Sequence, residues 1–277
     1  MASRIRRFAA HGRGPVWRST LAALALVGLL SAALPGSVLG LNCASGPQPR
    51  YFMGTIEDHS TTKGGEAKIA YVNETLCSPL PSGTGTFSSY WVALVNYEVD
   101  PIDEFGRNIY QIGIDECKGT ACVAGAPSNT PYYFWAYGRN TSLSCGPLVD
   151  PEPVVIPGTP SGLKLYTIVL VTAGEDHYDA KIDGSIKNTK AADSLDVCWH
   201  GVDGVQILNE SFNNGTQAGG PNSNYQDFQN PRWFNGSTWQ TISRAAGTTC
   251  DDPPSASRGC KWSTITPNTW RSWDTRF

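Results

Sequence analysis

The sequence has 277 residues, with 21 lysines and arginines against 24 aspartates and glutamates. All charged residues among the first forty are arginines, so residues 41–277 carry 16 basic and 24 acidic side chains, a formal charge of −8. This balance leaves no basic stripe that could neutralise phosphates, and it disfavours nucleic acid as a partner.

Residues 1–40 have the pattern of a secretory signal peptide. Five arginines precede the apolar run LAALALVGLLSAAL, and Pro35 and Gly36 end that run shortly before a permissive cleavage site at Leu41. The run has fourteen residues, whereas a helix that spans a bilayer needs about 20. We therefore expect a secreted, extracellular protein with no membrane association after cleavage.

Short β-branched and aromatic runs dominate the chain from Tyr51 to Ile242, and Gly-, Pro- and Asn-rich clusters separate them. No segment shows sustained helical periodicity. The pattern predicts an all-β fold, a two-sheet antiparallel β-sandwich of the jelly-roll or concanavalin-like type, over residues 41–232. The predicted strands are AKIAYVNETL, SYWVALVNYEV, NIYQIGID, PYYFWAYGR, KLYTIVLVT, HYDAKIDG and DGVQILNESF.

Residues 233–277 differ in composition from the rest of the chain. They contain several tryptophans, two cysteines and many residues typical of loops. We interpret them as an extension that packs on the sandwich rather than as a separate domain. Six of the nine tryptophans follow position 198. A solvent-facing row of them would suit stacking on sugar rings, although covering the core is the commoner use of large aromatic side chains.

Eight cysteines, an even number, lie in the exported part and predict up to four disulfides that staple the sandwich. Sequence spacing favours Cys117–Cys122 and Cys250–Cys260 as local pairs. No C-x2-C pair is present and the four histidines are scattered, so we expect neither a metal site nor a cofactor.

Familiar catalytic motifs are missing: the sequence has no G-x-S-x-G, no H-E-x-x-H and no Gly-rich phosphate loop. Two predicted strands nevertheless present polar faces. Strand alternation puts Gln111, Gly113 and Asp115 on one face of NIYQIGID, opposite Ile112 and its apolar neighbours. In DGVQILNESF the residues that share a face are Gln206, Leu208, Glu210 and Phe212. Taken alone, such polar faces are usually solvated surface.

The segments SYWVALV, IYQIGID, YYFWAYG and VQILNESF resemble, in order and spacing, the strands that form the active site of the eqolisins, the glutamic peptidases. The likeness covers about Tyr90 to Phe212, and NESFNNGTQAGG looks closer to uncharacterised secreted bacterial relatives than to the characterised fungal enzymes. It implies a β-sandwich fold and a catalytic pair made of Gln111 and Glu210. Trp91, Asp115 and Trp135 match substrate-binding positions, and Tyr137 stands where an acidic residue is usual.

The resemblance implies a secreted acid endopeptidase that binds an extended peptide or protein, and we expect it to be a monomer. Glu210 would take a proton from a water held between it and Gln111, and the Gln111 amide would stabilise the oxyanion. A non-catalytic sandwich that binds carbohydrate through exposed aromatic residues remains an alternative, and so does a purely structural secreted protein.

Overall fold

The computed structural model describes most of the chain from residue 50 onward. The predicted signal peptide and the proposed cleavage site lie outside the described residues. The described ranges are 50–78, 85–96, 108–139, 151–171, 176–196, 201–212, 216–217, 219–221, 224–242, 260–266 and 268–274.

Fifteen β-strands and one four-residue α-helix, α1 (Asp193–Asp196), occur in these ranges. The first sheet has six strands, in the spatial order β1 (Arg50–Asp58), β10 (Gly204–Phe212), β3 (Thr86–Val95), β4 (Ile109–Lys118), β5 (Tyr132–Gly138) and β6 (Val154–Ile156). All of its described strand pairs are antiparallel.

The second sheet has nine strands. Its spatial order is β11 (Gly220–Pro221), β15 (Thr269–Asp274), β12 (Gln226–Phe234), β2 (Gly64–Ala70), β7 (Leu163–Val171), β8 (His177–Ile182) and β9 (Ser185–Ala191), with β13 (Trp239–Thr241) on β12 and β14 (Cys260–Thr266) on β15. Only β11 and β15 pair in parallel among the described strands. The predicted two-sheet antiparallel sandwich is confirmed.

The main core lies between the two sheets, because alternate side chains of both sheets are apolar and buried there. Representative members are Tyr90, Val92, Leu94, Tyr110, Ile112, Ile114, Val205 and Ile207 from the first sheet, and Ala67, Ile69, Tyr166, Ile168, Tyr178 and Phe228 from the second. The intervening residues of the six-stranded sheet point the other way. We call that side, turned away from the nine-stranded sheet, the outer face.

Asn209 of β10 is fully buried on the core side of the six-stranded sheet. Its amide nitrogen donates to the backbone oxygen of Ser89 (3.1 Å) and to the hydroxyl of Ser88 (3.4 Å). Its amide oxygen accepts a bond from the backbone N–H of Gly219 (3.1 Å). One side chain thereby fastens β10 to β3 and to the segment that leads into β11.

The segment after Trp233, expected to be loop-rich, contains strands β13, β14 and β15 in its described parts. In β15 every second residue is buried, namely Trp270, Ser272 and Asp274, so this strand follows the alternation of a half-buried sheet. Strand β12 runs across position 232, where we divided sandwich from extension. The division into domains stays a prediction.

The disulfide Cys117–Cys122 is confirmed, with a Cα–Cα distance of 5.1 Å. Its second cysteine follows a short 3-10 turn, Gly119–Ala121, which brings the chain back toward the end of β4. Cys77 is disulfide-bonded as well. Cys250 of the predicted pair Cys250–Cys260 lies outside the described residues, so this pair stays a prediction.

Candidate functional site

The outer face of the six-stranded sheet carries most of the residues that the sequence singled out. In β4, Tyr110, Ile112 and Ile114 belong to the core between the sheets, whereas Ile109 belongs to a second apolar cluster on the outer face. Gln111 and Asp115 share the side of Ile109 by strand alternation. The predicted alternation of β4 side chains between two faces is therefore confirmed, and the face predicted to be polar also carries the apolar Ile109.

Two buried carboxyl groups lie in one row across this face. The strand register aligns Glu210 of β10 with Ser89 of β3, Ser89 with Asp115 of β4, and Asp115 with Tyr132 of β5. All four side chains are at least nine-tenths buried. We call these four residues the carboxyl row. Because Ser89 separates the two acids, they stand two strands apart, about 10 Å between their Cα atoms.

Asp115 is the best-defined acid of the carboxyl row. The Ser89 hydroxyl donates to its Oδ1 at 2.8 Å, and the Tyr132 hydroxyl donates to its Oδ2. Burial raises the pKa of Asp115 to about 6, although both hydrogen bonds act in the opposite direction. A carboxyl with that pKa is protonated in moderate acid and can donate a proton there.

The adjoining row is apolar. It contains Leu208, Trp91, Gly113 and Phe134, aligned across β10, β3, β4 and β5. The Trp91 side chain is only 1% exposed, and its indole N–H has no hydrogen-bond partner among the described residues. Trp91 and its apolar neighbours thus separate the carboxyl row from the next polar row.

Gln111 lies in that next row and is half-buried. It aligns with Ala93 of β3, and Ala93 aligns with Gln206 of β10. Glu210 is therefore displaced from Gln111 by two strands and four residues, about 10 Å across and about 13 Å along the sheet. Both predicted catalytic residues share the outer face, but the register sets Glu210 opposite Asp115 and Gln111 opposite Gln206.

Trp135 and Tyr137, predicted to line the site, lie on the other side of the sheet. They pack against the main core, since β5 directs Tyr132 and Phe134 to the outer face and the intervening residues inward. The Tyr137 hydroxyl donates to the Ser194 backbone oxygen at 3.0 Å. The Lys190 ammonium lies 5.1 Å from the Trp135 ring centroid and 4.6 Å from that of Tyr137.

The sequence pattern did not identify Ser89 and Tyr132 as neighbours of Asp115. Nor did it identify the fully buried Gln206 as the residue that aligns with Gln111 across Ala93. Each belongs to a predicted strand, and alternation alone assigns each to a face. Their alignment with Asp115 and Gln111 depends on strand register, which the sequence pattern does not provide.

Tryptophan exposure bears on the carbohydrate alternative. Trp91 and Trp270 are buried, and the others whose side chains are described are half-buried, namely Trp135, Trp233, Trp239 and Trp273. His59 stacks on Trp233 with 4.0 Å between ring centroids, and the Arg232 guanidinium lies 5.4 Å from the Trp239 ring centroid. No described tryptophan offers the open row that stacking on sugars would need.

The described residues contain no group of three or more His, Cys, Asp or Glu side chains arranged to hold a metal ion. None of their helices is long and apolar enough to cross a membrane.

No family model and no curated protein matches the chain. Among solved structures, scytalido-glutamic peptidase with a transition-state analog inhibitor is 12% identical, covering 83% of this chain and all of that one, with a TM-score of 0.46. SCP-B, an eqolisin peptidase in complex with the tripeptide Ala-Ile-His, is 12% identical. The match covers 83% of this chain and all of SCP-B, with a TM-score of 0.44. A family 16 endo-glucanase from Bacteroides ovatus is 10% identical over 63% of this chain and 71% of its own, with a TM-score of 0.30. Similarity this distant concerns the fold and carries no argument about activity.

Proposed function

We propose that the protein is a secreted acid hydrolase of peptide bonds and that the carboxyl row is its catalytic centre. The observation that supports this most directly is the alignment of two buried acids, Glu210 and Asp115, on one face of one sheet. One of them has a pKa raised to about 6, so in moderate acid it stays protonated. A second carboxyl, ionised and two strands away in the same row, would complete a general acid–base pair.

The chemistry needs only these groups and water. Ionised Glu210 takes a proton from a water molecule, whose oxygen attacks the carbonyl carbon of the scissile peptide bond. Protonated Asp115 donates to the carbonyl oxygen as the tetrahedral intermediate forms. Glu210 then passes its proton to the leaving nitrogen, the C–N bond breaks, and Asp115 recovers its proton as the new carboxyl group forms.

The half-buried amide of Gln111 favours a peptide as the substrate. A carboxamide offers both an acceptor and two donors, which match the C=O and N–H groups of an extended main chain. Gln111 lies one row beyond Trp91 on the outer face, whereas Gln206, which aligns with it across Ala93, is fully buried. In this arrangement Gln111 binds the substrate backbone about 13 Å along the sheet from the reacting bond.

Substitution of the two acids tests the proposal. We expect Glu210→Gln and Asp115→Asn to lower kcat for cleavage of denatured casein in acid by roughly 10²-fold or more, because general acid–base catalysis contributes about that much. The exposed Glu152→Gln provides a matched control that keeps full activity. Thermal unfolding by circular dichroism checks that each variant folds, and a folded Glu210→Gln protein with full activity would refute the proposal.

Gln111→Ala separates the two roles considered for that residue. If Gln111 stabilises the oxyanion directly, kcat falls by about 10²–10³-fold. If it binds the substrate backbone, as the register favours, KM rises while kcat is largely kept. Gln229→Ala, at a half-buried glutamine of the other sheet, is the control.

A further inference from the structure

A pocket of about 370 Å³ lies on the side of the nine-stranded sheet that faces away from the core. It forms where β12 departs from β2, since the register of the two strands shifts between Gln229 and Arg232. A bulge of this kind redirects side chains and opens space beside the sheet. The polar residues that line the pocket are Glu66, Lys68, Asn230, Arg232, Thr241 and Asn268.

Arg232 is held rigidly in this pocket. Its Nε donates to Glu66 Oε1 at 2.7 Å and its Nη2 contacts the same oxygen. The guanidinium also lies over the Trp239 ring, and the Thr167 hydroxyl donates to the second oxygen of Glu66 at 3.4 Å. The Glu66 side chain is only 7% exposed, whereas that of Arg232 is 42% exposed. The guanidinium therefore presents fixed donors to the pocket, and little side-chain freedom is lost on binding.

Lys68 makes the pocket electropositive. It is exposed and lies on the same side of β2 as Glu66. The other charges nearby are paired, Arg232 with Glu66 and Lys164 with Asp183 at 2.8 Å, and the charge of Lys68 also acts on Asp183. The surface thus carries one net positive charge, on a protein whose residues 41–277 are net acidic.

Two asparagines form one rim of the pocket. The Asn230 backbone N–H donates to the Asn268 backbone oxygen at 2.7 Å, and their carboxamides are joined by a 3.4 Å hydrogen bond. Together with the Thr241 hydroxyl they offer further donors and acceptors, as a ligand rich in hydroxyl groups requires. Leu165 is the one apolar residue in the lining, so the pocket has no place for a large apolar side chain.

We propose that this pocket binds a sugar carboxylate, specifically a uronate unit of an acidic polysaccharide. Lys68 and Arg232 bind the carboxylate, and Asn230, Asn268 and Thr241 bind ring hydroxyls. The volume falls within the range of small-molecule sites. A peptide carboxyl terminus shares the anionic group, but it lacks the hydroxyls that the asparagine rim would satisfy. Because the pocket and the carboxyl row are on different sheets, the site is independent of the proposed peptidase activity.

The test is isothermal titration of the full-length exported protein with a galacturonate trisaccharide in mild acid. The fully methyl-esterified trisaccharide and a short peptide with a free carboxyl terminus are titrated in parallel. We expect the ester and the peptide to bind roughly tenfold or more weakly, since the ester loses charge-assisted hydrogen bonds and the peptide loses hydroxyl contacts. Lys68→Gln should weaken binding of the acid about fivefold or more. Its control is Lys187→Gln, at an exposed lysine of β9.

Equal binding of acid and ester, tighter binding of the peptide, or no binding of the trisaccharide would each overturn the proposal. An equal loss of affinity in Lys187→Gln and Lys68→Gln would also overturn it, because the loss would then come from the lower net charge of the protein and not from the pocket. Casein cleavage by Lys68→Gln is measured alongside and should be unchanged. Failure of one proposal is thereby distinguished from failure of the other.

Discussion

Asp115 illustrates how a single side chain acquires its chemistry from its surroundings. Burial beneath the outer face favours the neutral acid, while the hydroxyls of Ser89 and Tyr132 favour the carboxylate. The pKa of about 6 is the balance between these effects, with burial dominant. Removing one hydroxyl should therefore move the pKa in a known direction.

Tyr132→Phe removes a hydrogen bond that stabilises ionised Asp115, so we expect the pKa of Asp115 to rise further. If Asp115 must be protonated for catalysis, the alkaline limb of the pH profile of kcat/KM shifts to higher pH. Tyr133→Phe, on the core side of the same strand, should leave the limb unchanged. A limb that moved to lower pH, or one that stayed fixed in a folded Tyr132→Phe variant, would remove Asp115 from the acid role.

Much about individual residues could be predicted from the sequence. The alternation of NIYQIGID and DGVQILNESF correctly places Gln111, Asp115 and Glu210 on one face, since period-two patterning is a local property. It could not reveal that Glu210 aligns with Asp115 rather than with Gln111. That alignment depends on the pairing of both strands with β3, which is fixed by tertiary packing.

Gly113 is a second residue whose role depends on the pairing of strands and cannot be read from the sequence of its own strand. Its missing side chain leaves no room for a ligand above the sheet, because the neighbouring strand β3 fills that space. A Cβ at position 113 would collide with the Tyr90 carbonyl oxygen and lie 2.8 Å from the Cα and Cβ of Trp91. The glycine allows the close approach of two strands that carry the carboxyl row.

Gly113→Ala should therefore push β3 and β4 apart. We expect a loss of about 1–3 kcal/mol in the free energy of unfolding, as for other overpacked sites. Ser185→Ala, at an exposed strand position, is the control and should change stability by less than about 0.5 kcal/mol. Urea unfolding measures both, and a Gly113→Ala protein as stable as the wild type would show that β3 can move at no cost.

Strands were easier to predict where β-branched and aromatic residues are dense, as in β3, β4, β7 and β10. Strand β9, SIKNTKA, was missed because it lies at the sheet edge, and its mostly exposed lysines and polar residues lack an apolar face. The strands after Trp233 were missed because proline, glycine and serine clusters concealed their short alternating runs.

For the protein as a whole, the buried acids Asp115 and Glu116 should lower stability as the pH rises. Burial raises the pKa of Asp115 from 3.8 to about 6, and burial with the charge of Asp115 raises that of Glu116 from 4.5 to about 7. Between about pH 4 and pH 7 the unfolded chain has released these protons and the folded protein still holds them. The free energy of unfolding therefore falls as the pH rises through this window.

Asp115 alone would contribute about 3 kcal/mol to this decrease. Urea unfolding at a series of pH values should show the decline, and the double variant Asp115→Asn/Glu116→Gln should flatten it. Asp183→Asn, at an exposed carboxyl, serves as the control and should keep the slope. Stability that increased from pH 4 to pH 7 would contradict the raised pKa values.

The interior position of Asn209 has a consequence for how the protein can be produced. Asn209, Glu210 and Ser211 form the triplet that eukaryotic oligosaccharyltransferase recognises. The enzyme acts on chains as they enter the endoplasmic reticulum, whereas the folded sandwich surrounds this amide with Ser88, Ser89 and Gly219. A glycan added there would prevent the sheet from closing beside Glu210. In yeast or insect cells, glycosylation of Asn209 would therefore compete with folding, whereas a bacterial host would not attach the glycan.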